Sequence, residues 1–294
     1  MGLKSLLIAS LVVLTLIAVM VHGAGDVMPQ TLIAVTVACV LDIALRSWLT
    51  GVRALPTGAL ITGLIVALLL PEGQLWYVPL AASSIAIISK YVLRWRGRNV
   101  FNPAGFGIAA AVVLFTGQLQ YGHASYLEAA PRMHYAQAVL RMEGWSFVLG
   151  GGHGWTGSTS AVAVVILGAV LVHRIRRIEL VTSHLVTYVA LVAGFAVLTR
   201  QELAIRVLLE IFATGLLFFT FFMLTDPATS PRTTMGRIVY GGLTGVLSFV
   251  LRLTASPVLF LLLALLAANL ALIIQRALTQ ATPLGRSCPA PSGR

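Results

Sequence analysis

The sequence has very little charge for its length. Only 10% of the 294 residues are charged, whereas 58% are hydrophobic, and the mean hydropathy is +0.94. Runs of about 18 or more apolar residues are typical of helices that cross a bilayer, and such runs recur along this chain. The composition therefore excludes a soluble globular protein and predicts an all-α integral membrane protein.

Cysteine is also scarce. The chain has two cysteines, Cys39 inside an apolar run and Cys288 close to the C-terminus. Two cysteines so far apart are too few for a structural zinc site or an iron–sulfur cluster. The sequence therefore excludes an iron–sulfur cluster held by this chain alone, and we predict no metal site.

Acidic residues are outnumbered, with nine against twenty lysines and arginines, which gives a formal net charge of +11. In a soluble chain this excess could indicate nucleic-acid binding, but no basic tail or RNA-binding motif is present, so we expect no nucleic-acid partner. In a membrane protein, basic residues instead concentrate in cytoplasmic loops.

The positions of the basic residues support a ten-span topology. We predict ten transmembrane helices, at residues 4–22, 29–49, 55–71, 76–95, 101–117, 157–175, 179–199, 204–225, 236–253 and 256–278. If both termini are cytoplasmic, fifteen of the twenty basic residues fall on the cytoplasmic side. The asymmetry persists to the last loop, as expected for a correct span count. The first apolar run, from Ser5 to Val21, could also be a signal peptide, but its length favours an uncleaved span.

The predicted organisation is one transmembrane domain over residues 1–278, followed by a disordered cytoplasmic tail over residues 279–294. Two five-helix halves, about 1–117 and 157–278, flank a non-cytoplasmic loop over 118–156. An odd number of spans per half means that the halves, if they are repeats, must be inverted, which is a common transporter plan with interrupted helices. Similar runs of small and hydroxyl residues at Thr57 and Thr156 favour this hypothesis. The loop carries His123, His134 and His153, whose spacing matches no metal-ligand motif, so solvated histidines are favoured over a metal site.

The stretch Phe221-Phe-Met-Leu-Thr-Asp-Pro-Ala-Thr-Ser-Pro231 interrupts the apolar sequence most abruptly. Neither proline can continue a helix. Irregular backbone beside a membrane is tolerated where it is buried in protein or lines a wet cavity. Asp226 is therefore either a simple helix end or part of a ligand site.

Three other segments have the same character. They are Leu55-Pro-Thr-Gly-Ala-Leu-Ile-Thr-Gly63, Phe101-Asn-Pro-Ala-Gly-Phe-Gly107 and Gly154-Trp-Thr-Gly-Ser-Thr-Ser160. Each offers hydroxyl groups, free backbone N–H groups at a helix start, and glycines that permit close approach. Singly, each segment is typical of a tight helix–helix contact. Together with the Asp226 stretch, they predict one composite pocket.

These motifs resemble a known family. The segment Phe101-Asn-Pro-Ala-Gly-Phe-Gly, the run Thr62-Gly-Leu-Ile-Val-Ala-Leu-Leu-Leu-Pro71, and Thr225-Asp-Pro-Ala-Thr-Ser-Pro followed by Gly236-Arg-Ile-Val-Tyr-Gly are similar to the NqrB/RnfD family. This family comprises membrane subunits of the sodium-pumping NADH:quinone oxidoreductase and of the Rnf electron transport complex. The resemblance covers residues 50 to 275. It implies ten helices in two inverted halves, like urea and ammonium channels, and a subunit that carries flavin and passes electrons across the bacterial inner membrane beside partner subunits.

The chain also departs from the family pattern. Members of the two pumps carry a flavin joined through its phosphate to a threonine in a Ser-Gly-Ala-Thr motif before the sixth helix. Here that region reads Pro131-Arg-Met-His-Tyr-Ala-Gln-Ala-Val-Leu-Arg141, without a threonine. The resemblance therefore implies a divergent member that either holds FMN or riboflavin without a covalent bond, or has lost electron transfer and kept the scaffold. We also expect no cytoplasmic N-terminal extension of the kind seen in some members, because the first span begins at once.

Charged residues inside the predicted spans are costly unless they are paired or functional. Asp42 and Arg46 are four residues apart, as are Arg206 and Glu210, so each acid has a partner within reach on its own helix. The alternative is a cation path in which Asp42, Glu210 and Asp226 supply oxygen ligands. In either case Asn269, in the last span, must hydrogen-bond to another helix or to a ligand.

The predicted function is a flavin-dependent membrane subunit that relays electrons to or from other membrane or periplasmic subunits, and cation translocation could be coupled to this relay. No catalytic residue is predicted. The predicted cofactor-binding residues are Thr57, Gly58, Thr62, Asn102, Pro103, Gly157, Ser158, Thr159, Ser160, Asp226 and Thr229. Two alternatives stay open, a channel or carrier for a small solute on the same fold, and a structural membrane subunit without a ligand.

Overall fold

The computed structural model describes residues 2–52, 54–115, 155–212, 214–254 and 259–281. Within these residues the protein is almost entirely helical, which confirms the predicted all-α membrane class. The helices are α1 (Leu3–His22), α2 (Ala24–Thr50), α3 (Thr57–Leu69), α4 (Tyr77–Val92), α5 (Pro103–Leu114), α6 (Ala161–Ile175), α7 (Ile178–Leu198), α8 (Leu203–Phe212), α9 (Leu216–Phe218), α10 (Thr234–Thr254) and α11 (Phe260–Ala281). Most of the predicted loop and the predicted tail lie outside the described residues.

Helix lengths separate the long spans from the shorter elements. In the described part of the chain, five helices are long and apolar enough to cross a membrane, namely α1, α2, α7, α10 and α11. The shorter apolar helices are α3, α4, α5 and α6. Helices α8 and α9 together would also suffice, but they are bent by 56°. The protein is therefore a multi-pass membrane protein.

The predicted span 204–225 is broken where we expected one helix. Helix α8 ends at Phe212, and Gly215 has a left-handed φ of 73° before α9 begins. Helix α9 continues as a π-helical turn over Phe219–Met223. Glycine tolerates this φ because it lacks a Cβ atom. The break redirects the chain towards the Asp226 stretch.

A short hairpin joins α4 to α5. Strands β1 (Arg94–Trp95) and β2 (Arg98–Asn99) are antiparallel and pair Arg94 with Asn99. Arg96 and Gly97, at the turn, both have positive φ, as expected for the tightest hairpin turns. The hairpin brings Asn99 to the start of α5.

Close packing of small residues joins the helices. A Cβ atom on Gly107 of α5 would lie only 2.4 Å from the carbonyl oxygen of Ala82 in α4, so a larger residue would force these helices apart. Such small-residue contacts are typical of membrane helices. Helix α4 packs on α2 and α5, α3 packs on α2, and α10 packs on α7 and α11.

Candidate functional site

The sequence predicts four interrupted segments, at residues 55–63, 101–107, 154–160 and 221–231. Three of these breaks, all except 154–160, line one cavity of about 420 Å³, named here the Asn102 cavity. It is lined by Leu3, Lys4, Leu7, Gly58, Ile61, Thr62, Ile65, Lys90, Asn99, Asn102, Pro103, Ala104, Leu171, Ile175, Phe222, Thr225, Asp226, Pro227 and Ala228. The walls come from the starts of α1 and α5, the first two thirds of α3, the ends of α4 and α6, strand β2, and the chain around the π turn. The volume falls within the range of about 300–1,000 Å³ that is typical of small-molecule sites.

Local sequence explains why helices begin at the cavity. Asn102 has extended backbone and caps α5, because its Oδ1 accepts a hydrogen bond of 3.1 Å from the N–H of Gly105. Pro103 follows as the first helical residue, where a missing N–H costs nothing. Pro56 similarly precedes α3, and the N–H of Leu60 donates to the carbonyl oxygen of Pro56.

The cavity combines apolar walls with a few polar groups. Ile61, Ile65 and Phe222 supply apolar surface. The Oδ1 atom of Asn102 is used by the helix cap, whereas its amide NH₂ group donates no hydrogen bond to the described residues. Lys90 adds a cationic group, with its Nζ 2.7 Å from Asp42 Oδ1. Few polar groups in an apolar cavity are typical of a site that orients its ligand.

Asp226 folds the chain after the π turn into a compact loop. Its Oδ1 accepts from the N–H of Ala228 at 3.0 Å, and its Oδ2 accepts from the hydroxyl of Thr229 at 3.3 Å. Ser230, at the end of the loop, accepts a hydrogen bond from Arg177, a buried residue between α6 and α7. Burial raises the pKa of Asp226 above its ordinary value, while these two hydrogen bonds and nearby Arg177 act in the opposite direction.

Asp42 is fully buried beside the cavity and holds a cluster of side chains together. Its Oδ2 accepts from Arg46 at 2.7 Å, and its Oδ1 accepts from Lys90 at 2.7 Å and from Tyr91 at 2.8 Å. The predicted pair with Arg46 is therefore present. Both oxygens are already bonded to side chains of α2 and α4.

Glu210 forms a second cluster that also joins one acid, two cationic side chains and a tyrosine. It contacts Arg206 at 2.8 Å on its own helix and Arg252 of α10 at 3.3 Å, and the hydroxyl of Tyr188 donates to it at 2.8 Å. The predicted pair with Arg206 is therefore present too. Of the three acids in the predicted cation path, Asp226 lines the Asn102 cavity, while Asp42 and Glu210 each hold two cationic side chains.

The fourth break, at residues 154–160, does not line the Asn102 cavity. Its residues Thr156–Ser158 form a 3₁₀ turn, and Thr156 contacts Leu70, which directly follows α3. In α3 the lining of the Asn102 cavity runs from Gly58 to Ile65, whereas Leu70 follows the last residue of this helix. The structure thus places Gly157, Ser158, Thr159 and Ser160 at the far end of α3, outside the lining of the cavity.

The hydroxyl groups of this fourth break are hydrogen-bonded to other parts of the protein, and its glycine is closely packed. The Thr156 hydroxyl donates to the carbonyl oxygen of Leu70 at 2.5 Å and accepts from Gln30 at 3.2 Å. Thr159 is hydrogen-bonded to His22 at 2.9 Å. A Cβ atom on Gly157 would lie 2.7 Å from the ring of Phe218. This segment is a packed junction of α1, α2, α3 and α9.

The structure therefore divides the predicted site residues. Gly58, Thr62, Asn102, Pro103 and Asp226 line the Asn102 cavity. Thr57 and Thr229 are adjacent in sequence to the lining but are not part of it. Sequence reasoning missed Lys90 and Phe222 as lining residues. For Lys90 a partial signal existed, because a lysine inside an apolar run needs a partner, but the sequence does not show which helix supplies it.

Within the described ranges, no group of histidine, cysteine or carboxylate side chains could hold a metal ion. The loop histidines His123, His134 and His153, and the threonine-free segment 131–141, lie outside those ranges. Asn269, predicted to need a hydrogen bond, accepts one from the hydroxyl of Tyr240 at 2.6 Å.

Comparison with known proteins gives a consistent result over nearly the whole chain. The model of the NQR2, RnfD, RnfE family matches residues 3–285. The chain is 30% identical to the NqrB subunit of the Na⁺-translocating NADH-quinone reductase of Azotobacter vinelandii, covering 66% of this chain and 52% of that protein. The chain spans about half the length of the NqrB relatives that it matches.

Two further relatives are RnfD subunits. The chain is 27% identical to the RnfD subunit of the Na⁺-translocating ferredoxin:NAD⁺ oxidoreductase complex of Acetobacterium woodii, over 66% of this chain and 62% of that protein. It is 26% identical to the RnfD subunit of an ion-translocating oxidoreductase complex of Salmonella arizonae, over 78% of each.

Proposed function

Because the chain belongs to the NQR2, RnfD, RnfE family, we propose that it is a membrane subunit of a flavin-dependent electron-transport system. In this proposal the Asn102 cavity holds FMN or riboflavin without a covalent bond. The observation that carries the proposal is the convergence of three broken helix ends on one cavity with apolar walls and a polar edge.

The lining residues match the chemistry of a flavin ring. Its flat ring system is apolar on both faces, which suits Ile61, Ile65 and Phe222. Its carbonyl oxygens need donors, which the Asn102 amide and the Lys90 ammonium group supply. Its ring N–H needs an acceptor, which Asp226 supplies. A bound flavin would provide a carrier of one or two electrons, and a fixed charge such as Lys90 would tune its electronics.

We further propose ten membrane segments in two inverted halves, with α8 and α9 as one bent segment. Supporting this, α10 packs on α7 and α11 as α4 packs on α2 and α5. Lys90 near the C-terminal end of α4 and Arg252 near that of α10 also occupy equivalent places, and each contacts a buried acid on another helix. Inverted repeats with interrupted helices commonly place their ligand between the halves.

The relatives and the charge pattern support a proposal for the partners and the location. They are named as subunits of ion-translocating complexes, so we propose that this chain functions beside other membrane or periplasmic electron-transfer subunits. We place it in the bacterial inner membrane with both termini cytoplasmic, as the predicted charge asymmetry indicates. A cation path through Asp42, Glu210 and Asp226 stays a prediction.

Removing the Asn102 amide should lower flavin occupancy. In Asn102→Ala the cavity loses a donor, and we expect about tenfold weaker flavin binding, since a lost hydrogen bond in a closed site costs roughly 1–1.5 kcal/mol. The measurement is the ratio of flavin to protein in the purified chain, and its affinity for added riboflavin.

The matched control is Ser160→Ala. Ser160 also caps a helix, because its hydroxyl oxygen accepts from the N–H of Ala163 at 3.4 Å. Both variants lose a cap, which costs about 1 kcal/mol of stability. We expect Ser160→Ala to keep its flavin. Equal flavin content in the two variants would remove Asn102 from the site.

A further inference from the structure

A second cavity lies between α10 and α11 and begins with the residues that follow the Asp226 loop. This groove, named here the Arg276 groove, has a volume of about 730 Å³. Its lining includes Arg98, Arg232, Val239, Leu243 and Arg276. None of these residues lines the Asn102 cavity, so the proposed flavin site does not use them.

The groove is polar at one end and apolar along the rest. Arg98, Arg232 and Arg276 lie where α10 begins and α11 ends. Deeper along the two helices the lining is apolar, and Val239 and Leu243 are 56% and 39% exposed. These side chains lie on membrane helices, so the apolar part of the groove opens towards lipid.

The three arginines have no acidic partner among the described residues. They lie close enough for Arg98 and Arg232 to repel Arg276 electrostatically. The sequence contains no aspartate or glutamate after Asp226. Asp226 precedes the groove in sequence, but its carboxylate accepts hydrogen bonds from Ala228 and Thr229. Asp42 is held by Arg46 and Lys90, and Glu179 is held by Arg237.

We propose that the Arg276 groove binds an anionic phospholipid, with its phosphate at the three arginines and an acyl chain along α10 and α11. Basic recesses between membrane helices on the cytoplasmic side recognise anionic lipid head groups. The start of α10 adds the positive end of a helix dipole. An anion with an attached apolar chain matches both ends of the groove, which a free anion does not.

Charge argues against two other occupants. Residues 282–294 of this chain contain Arg286 and Arg294 and no acid, so this segment does not complement the arginines. A second copy of this chain would bring the same excess of positive charge. Neither of these occupants supplies the negative charge that the arginines attract, whereas anionic lipids are the abundant anions of a bilayer.

The test is native mass spectrometry of the full chain after delipidation, titrated with phosphatidylglycerol or phosphatidylethanolamine. We expect phosphatidylglycerol to bind at least about tenfold more tightly, because its head group carries a net negative charge that the arginines attract. The double variant Arg232→Gln with Arg276→Gln should remove this preference. The control Arg174→Gln, an exposed arginine at the end of α6 outside the groove, should keep it.

Two further measurements test whether the acyl chain of the lipid contributes to binding. Leu243→Trp fills the groove without altering the arginines, so it should weaken phosphatidylglycerol binding even if the double variant does not fold. Inorganic phosphate at the same concentration should fail to displace the lipid. Equal binding of the two lipids, equal loss in Arg174→Gln, unchanged binding in Leu243→Trp, or displacement by phosphate would each overturn the proposal.

Discussion

Replacing Glu210 with leucine should strongly destabilise the protein. Glu210 is buried and holds Arg206 and Arg252. Without it, two guanidinium groups would stay in a poorly solvated environment with no acid beside them. Breaking a buried charge network in this way costs about 3–5 kcal/mol, because the remaining charge keeps its desolvation penalty.

This loss is a large part of the stability of a typical protein, which is about 5–15 kcal/mol. We therefore expect a marked decrease in yield and in the temperature at which the detergent-solubilised chain loses its monodisperse size-exclusion peak. The matched control is Glu179→Leu, because the Glu179 side chain is 32% exposed and contacts Arg237 at 3.3 Å. Partly exposed pairs of this kind are worth less than about 1 kcal/mol.

A rescue variant separates charge imbalance from lost packing. Replacing Glu210, Arg206 and Arg252 together by apolar residues removes all the buried charge of the cluster, and such replacements are often neutral. We expect the triple variant to recover much of the stability that Glu210→Leu loses. If Glu210→Leu and Glu179→Leu were equally stable, the Glu210 cluster would not be a buried network of the kind described above.

Replacing Gly58 with phenylalanine should abolish flavin binding while preserving the fold. Gly58 lines the Asn102 cavity, and a Cβ atom there would meet Lys90 Nζ at 3.6 Å, an ordinary contact distance. The backbone therefore accepts a side chain, and the nearby space for a ring is the cavity. We expect the affinity for flavin to decrease at least about tenfold, which is roughly 1.4 kcal/mol of binding free energy, so the purified variant should carry almost no flavin.

The matched control for this substitution is Gly25→Phe. Gly25 is the second residue of α2, as Gly58 is of α3, and a Cβ atom added at Gly25 would have nothing within 4 Å. Both variants add the same ring to the first turn of a helix. Flavin retained by Gly58→Phe at the level of Gly25→Phe would exclude the Asn102 cavity as the binding site.

The sequence predicted the parts of the site that depend on neighbours along the chain. Asn102 followed by Pro103 predicts a capped helix start, and acids four residues from arginines predict the pairs at Asp42 and Glu210. Apolar run lengths predict the membrane class. Each of these features depends only on residues that are close together in the sequence. It can therefore be predicted from one segment of the chain.

Features that depend on the lateral arrangement of helices were not predictable in this way. Lys90 and Arg252 reach their acids across helix pairs, and the periodicity of a sequence does not determine which helices are neighbours. The separation of Thr156–Ser160 from the cavity is different, because it could have been predicted from the ten-span topology. The sixth span starts on the opposite side of the membrane from the third and fifth spans, so its start cannot join theirs.

The flavin content of the purified wild-type chain decides whether this protein carries a cofactor. We expect a stoichiometric flavin, visible in the absorbance spectrum, that leaves the protein completely on acid denaturation because no covalent bond holds it. A colourless chain that also fails to bind added FMN or riboflavin would contradict the proposed function. A flavin that stays attached to the denatured polypeptide would contradict the non-covalent site.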